Sequence, residues 1–130
     1  MSTEFRWGIL ASGGIAQAFA RDLSYFNNHI VAAVGSRSQE SADAFATEFP
    51  GCVAYGSYED LVNDPTLDAI YVATPHPYHV SNSILALNAG KPVLCEKPLT
   101  INAKEAMEMK AAAEANDVAL MEAMWARFLP

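Results

Sequence analysis

Cationic side chains are scarce in this chain, with 8 Lys and Arg against 15 Asp and Glu and a formal net charge of −7. The sequence pI is ≈ 4.7. Such a balance argues against partners with polyanionic backbones or surfaces, so neither nucleic acid nor an anionic membrane is expected. Local phosphate binding stays open, because backbone amides and one or two arginines suffice. Cysteine is limited to Cys52 and Cys95, both in apolar strand-like runs, which predicts small packed thiols rather than a disulfide or a metal site. No apolar run approaches the roughly 20 residues of a membrane span. The first residues, Met1 to Arg6, lack the apolar core of a signal peptide, so the expected compartment is cytoplasmic. Pro- or Ser-rich tracts are missing too. With 52% hydrophobic and 18% charged residues, residues 1–130 are expected to form one ordered domain with a real core.

Apolar runs of strand length alternate with helical patterns. The strands are expected at Phe5–Leu10, Ile30–Gly35, Cys52–Tyr55, Ala69–Ala73, Pro92–Cys95 and Ala119–Ala123. They read as continuous apolar runs, the pattern of parallel strands covered on both faces. The spacing predicts helices over Ile15–Leu23, Gln39–Phe49 behind the N-cap Ser38, Val80–Asn88 and Asn102–Asn116. Ser57, with Asp60 three residues on, caps a short turn. Val80, Ile84 and Leu87 are expected on the inner face of one helix, and Ala103, Ala106, Met109 and Ala113 on that of another. The alternation specifies an α/β fold, a doubly wound parallel sheet in the order 3-2-1-4-5-6.

Ligands of such sheets sit outside the carboxyl ends of the strands, near the point where strand order reverses. The first strand runs into Ala11-Ser12-Gly13-Gly14-Ile15-Ala16. Two glycines leave the backbone bare there, and the helix beyond offers unsatisfied N–H groups and its positive dipole end. That arrangement suits a pyrophosphate. Against the pattern G-x-G-x-x-G/A, the three positions are Ala11, Gly13 and Ala16, with Ala11 where glycine usually makes the tight turn. A ligand-free strand–helix turn uses similar residues, so the other strand ends must decide.

After the second strand, Ser36-Arg37-Ser38 carries no carboxylate about 20 residues beyond the glycine turn, where an Asp or Glu holds the ribose 2′-hydroxyl of NAD. Hydroxyls and a guanidinium suit a 2′-phosphate, so NADP(H) is favoured over NAD(H). The competing reading is a helix cap followed by a surface arginine. After the fourth strand comes Ala73-Thr74-Pro75-His76-Pro77-Tyr78-His79. His76, at the loop tip, is the candidate for touching substrate; His79 either packs or takes part in the chemistry. No third ligand is placed to complete a metal site. After the fifth comes Glu96-Lys97-Pro98. An ammonium is costly to bury unpaired, so Lys97 reads as a donor to a substrate oxygen, oriented by Glu96, or else as a snorkelling surface lysine. After the sixth, Trp125, Arg127 and Phe128 wall a cofactor or substrate pocket, or form an interface to a partner.

Taken together, Gly8 to Ala16, Ser36-Arg37, Ala73-Thr74-Pro75, Glu96-Lys97-Pro98 and Trp125 to Phe128 resemble the glucose–fructose oxidoreductase / inositol dehydrogenase (Gfo/Idh/MocA) family, specifically its dihydrodiol and D-xylose dehydrogenase branch. The resemblance spans essentially the whole chain. It implies a Rossmann domain of an NADP(H)-dependent oxidoreductase acting on a sugar, polyol or cyclic diol. Lys97 would be catalytic, and the Lys97–Pro98 peptide is often cis in the family. Cofactor contacts would come from Ala11, Ser12, Gly13, Gly14, Ile15, Ser36, Arg37, Ala73, Thr74, Pro75, His79, Glu96, Lys97, Trp125 and Arg127, and substrate contacts from His76 and Trp125. The family adds a C-terminal α/β domain that supplies the other acid/base group and usually the homo-oligomer interface. The expectation is therefore the cofactor half of a two-domain enzyme. A stand-alone nucleotide-binding or sensor module is the second reading, and Lys97 favours the first.

Overall fold

The structure is a computed structural model that describes residues 3–124. Six strands, β1 (Phe5–Leu10), β2 (His29–Gly35), β3 (Val53–Tyr55), β4 (Ala69–Val72), β5 (Val93–Glu96) and β6 (Leu120–Ala123), form one sheet in the order β3-β2-β1-β4-β5-β6. Every pairing is parallel. The crossovers carry α1 (Gly14–Asp22), α2 (Gln39–Ala46), α3 (Tyr58–Val62), α4 (His79–Asn88) and α5 (Ala103–Ala115). Strand order reverses between β1 and β4, the place where such sheets bind ligands.

Side-chain alternation along the central strands fills two cores at once. Ile9, Val34 and Tyr71 pack with Ala16, Ala20 and Phe45 on one face. Leu10, Ile70 and Val72 pack with Leu61, Leu87 and Met109 on the other. The edge strands depart from the expected double coverage, since Val53 and Met121 are exposed. An edge strand has a neighbour on one side only, and its flanking residues reach solvent.

Capping sets where the helices begin. The hydroxyls of Ser38 and Ser57 and the side-chain oxygen of Asn102 accept from the amides of Ser41, Asp60 and Glu105, at 3.2, 3.1 and 2.9 Å. Each satisfies one of the first-turn donors that a helix leaves open. α2 stops at Ala46, short of the expected Phe49, because Glu48 and Phe49 donate to carbonyls three residues back and tighten the chain ahead of Pro50-Gly51. The inner face of α4 is His79, Ser83, Ala86 and Leu87, with Val80 and Ile84 only half-buried. On α5, Met109 and Ala113 are buried and Ala106 partly so, while Ala103, in the first turn, is exposed.

Candidate functional site

One cleft of about 1130 Å³ opens across the carboxyl ends of β1, β2, β4 and β5. Along its middle run Ala11, Gly13, Ile15, Ala73, Thr74 and Pro75; at one end stand Ser12, Ser36 and Arg37, and at the other His76, Glu96 and Lys97. Gly14 opens α1 beside them and is exposed. Strand ends separated by up to 86 positions, Ala11 to Lys97, thus meet in one place.

The glycine turn has the properties of an anion cradle. α2, α3 and α5 are capped by side chains, whereas α1 and α4 are not; the N-cap of α1, Gly13, has no side chain to offer the first-turn amides. A Cβ placed on Gly13 or Gly14 would meet nothing beyond its chain neighbours within 4 Å, and Gly13 lines the cleft. Bare amides facing open space fit a phosphorylated dinucleotide. Ala11 adopts φ 108°, a left-handed conformation that favours glycine, at the position where the motif usually has one. Its amide donates to the Gly35 carbonyl at 3.0 Å, which anchors the turn to the end of β2.

At the β2 end, the Ser12 and Ser36 hydroxyls lie 3.2 Å apart and join the first two loops. Arg37 is exposed and enters none of the ion pairs among the described residues. Glu96, at the far end, is the acidic residue lining the cleft among the described residues. Ser41, Tyr58, Tyr78 and Asn82 also line it and escaped the sequence reading. Tyr58 follows the end of β3, so the same strand-end rule reaches it. Ser41 and Asn82 lie one turn inside helices, where helical spacing returns them to the cleft. Burial raises the Tyr58 phenol above its ordinary pKa, and the Arg37 charge acts in the opposite direction, which places that cation near the ring.

At the β5 end, two expectations about Lys97 change. Its side chain is exposed, so avoidance of burial does not account for it. Glu96 does not orient it: the Glu96 carboxylate accepts from the Tyr71 hydroxyl at 2.5 Å, and no Glu96–Lys97 ion pair exists among the described residues. Consecutive residues at a strand end point to opposite faces, which separates the two side chains. The Lys97–Pro98 peptide is cis.

His79 has no exposed surface. Its Nδ1 lies 2.7 Å from the Pro98 carbonyl oxygen and its Nε2 2.8 Å from that of Thr74. Buried with main-chain carbonyl oxygens beside both nitrogens, the ring is not presented to a ligand; it lies between the β4 loop and the Lys97–Pro98 loop. Asn82 adds a 3.2 Å hydrogen bond to the Thr74 hydroxyl. Burial pushes the Cys52 and Cys95 thiols up to about 11, which makes both poor nucleophiles near neutrality. Among the described residues, no group of three or more His, Cys, Asp or Glu side chains could hold a metal ion, and no helix is long and apolar enough to cross a membrane. Trp125, Arg127 and Phe128 lie outside the described residues.

Comparison with known proteins agrees with this geometry. Residues 5–124 match the family described as "Oxidoreductase family, NAD-binding Rossmann fold" (Gfo/Idh/MocA). The chain is 48% identical over 127 residues to trans-1,2-dihydrobenzene-1,2-diol dehydrogenase of Mus musculus, covering 96% of this chain and 38% of that protein. It is 43% identical over 137 residues to D-xylose 1-dehydrogenase (NADP(+)) of Hypocrea jecorina, covering 96% and 35%. Among solved structures it resembles a 3-ketoreductase from Actinomadura kijaniata in complex with NADP, with a TM-score of 0.86, 33% identity, and coverage of 92% of this chain and 38% of that one. The chain thus spans between 35% and 38% of the length of these relatives. The parallel sheet, the bare turn at its reversal point and the match over residues 5–124 together make this chain a member of the Gfo/Idh/MocA oxidoreductase family, in its NAD-binding Rossmann portion.

Proposed function

We propose that this chain is the cofactor-binding part of an NADP(H)-dependent oxidoreductase that moves a hydride to or from the carbinol carbon of a sugar, polyol or cyclic diol. The observation that carries the reading is the cleft's polarity. Bare amides and Ser36-Arg37 stand at one end, no carboxylate lines the cleft there among the described residues, and the Lys97 ammonium stands at the other end. The uncapped turn of α1 takes the pyrophosphate, and Arg37 with Ser36 takes the 2′-phosphate. The nicotinamide, when bound, supplies or accepts the hydride. Lys97 donates a hydrogen bond to the substrate oxygen and stabilises the alkoxide charge that develops there, with His76 at the substrate's edge. A dihydrodiol dehydrogenase, an NADP(+)-dependent xylose dehydrogenase and a ketoreductase bound to NADP among the relatives support the choice of carbinol chemistry and of NADP(H). Trp125 and Arg127 belong to the same proposal as neighbours of the nicotinamide. The remaining acid/base group and substrate contacts are assigned to a second domain, as the greater length of the relatives allows.

The test is a fluorescence titration of NADPH and NADH against the chain and its Arg37→Ala variant. Loss of a charge-assisted contact is expected to weaken NADPH by about 10- to 100-fold, and NADH by less than about threefold. Equal losses for both would refute the 2′-phosphate assignment.

A further inference from the structure

Tyr71 lies within β4 with 1% of its surface exposed, its ring stacked on Phe19 at 3.9 Å between centroids and 15° between planes. Phenylalanine would fill that slot equally well. A tyrosine brings a buried hydroxyl that must find a partner. Its partner is Oε2 of Glu96, 2.5 Å away. Strand register explains the reach: Tyr71 pairs with Leu94 on β5, so Glu96, two residues beyond Leu94, lies on the same face and one step nearer the cleft.

This tether takes one carboxylate oxygen and leaves the other without a hydrogen bond among the described residues, at the wall of a cleft that Lys97 shares. We propose that Tyr71 is a positioning residue. It fixes Glu96 against the sheet so that the free oxygen accepts from a ribose hydroxyl at the nicotinamide end of the dinucleotide. The inference rests on the reading of the cleft as an NADP(H) site.

The experiment is a double-mutant cycle with Tyr71→Phe, Glu96→Ala and both together. Two probes are titrated: NADPH, and adenosine 2′,5′-bisphosphate, which lacks the nicotinamide ribose. Each single variant is expected to weaken NADPH about five- to tenfold, the loss of one hydrogen bond, with the double no worse than Glu96→Ala alone. Adenosine 2′,5′-bisphosphate should bind all of them alike, which general damage to the fold would not allow. Thermal midpoints check that each variant is folded. Unchanged NADPH binding in Tyr71→Phe, additive losses in the double variant, or a parallel loss of both probes overturns the inference and leaves the cleft assignment standing. A wild-type chain that binds neither probe overturns both.

Discussion

Ala11 carries a backbone cost in the first turn of the cleft. An L-residue in the left-handed region is disfavoured by roughly 1–2 kcal/mol, and Ala11 sits there at φ 108°. Glycine would release that strain but would also loosen the unfolded chain, at about 0.4–1 kcal/mol. The difference favours glycine, so Ala11→Gly is expected to raise stability by roughly 0.5–1 kcal/mol, read as a higher urea midpoint at unchanged slope. A lowered midpoint would mean that the methyl group's packing in the buried turn outweighs the strain. At this scale the sequence was informative where a side chain stands at a strand end, as with Arg37 and Lys97. It was silent where the partner is distant in the chain. Nothing local marks Tyr71, inside an apolar run, as the residue that holds Glu96, and nothing local shows that His79 would lie between carbonyls of separate loops.

Helix boundaries show the same division between local and non-local signals. The starts of α2, α3 and α5 were legible because Ser38, Ser57 and Asn102 act on amides three residues away. Asn102→Ala removes such a bond at a residue that does not line the cleft and is expected to cost about 1 kcal/mol, measured as a fall in the urea midpoint with NADPH affinity unchanged. A loss of affinity would show that α5 feeds the cleft in some other way. Helix ends were less legible, since α2 closes early through tightened turns that no single residue announces. The sheet order was legible because continuous apolar strands alternating with helices admit few arrangements, and right-handed crossovers select among them. The exposure of Val53 and Met121 was not, because composition alone does not say which strands become edges.

For the molecule as a whole, stability and ligand affinity draw on different forces. The ion pairs among the described residues, Arg21–Glu48, Lys104–Glu108 and Lys110–Glu114, are solvent-exposed and add little. The folded state rests on the two apolar cores, while the proposed binding rests on phosphates meeting a cation and bare amides in a chain of net charge −7. Added salt is therefore expected to leave the urea midpoint unchanged or slightly raised, while NADPH affinity falls steadily over the same range. Parallel titrations at low and high salt check this; a midpoint that drops with salt would reveal ionic support within the fold. The imidazole of His79, gripped on both sides by main-chain oxygens, also has a mechanical consequence. The segments after the fourth and fifth strands are buttoned into a single jaw, so a shift forced on the threonine side is delivered to the backbone next to the lysine.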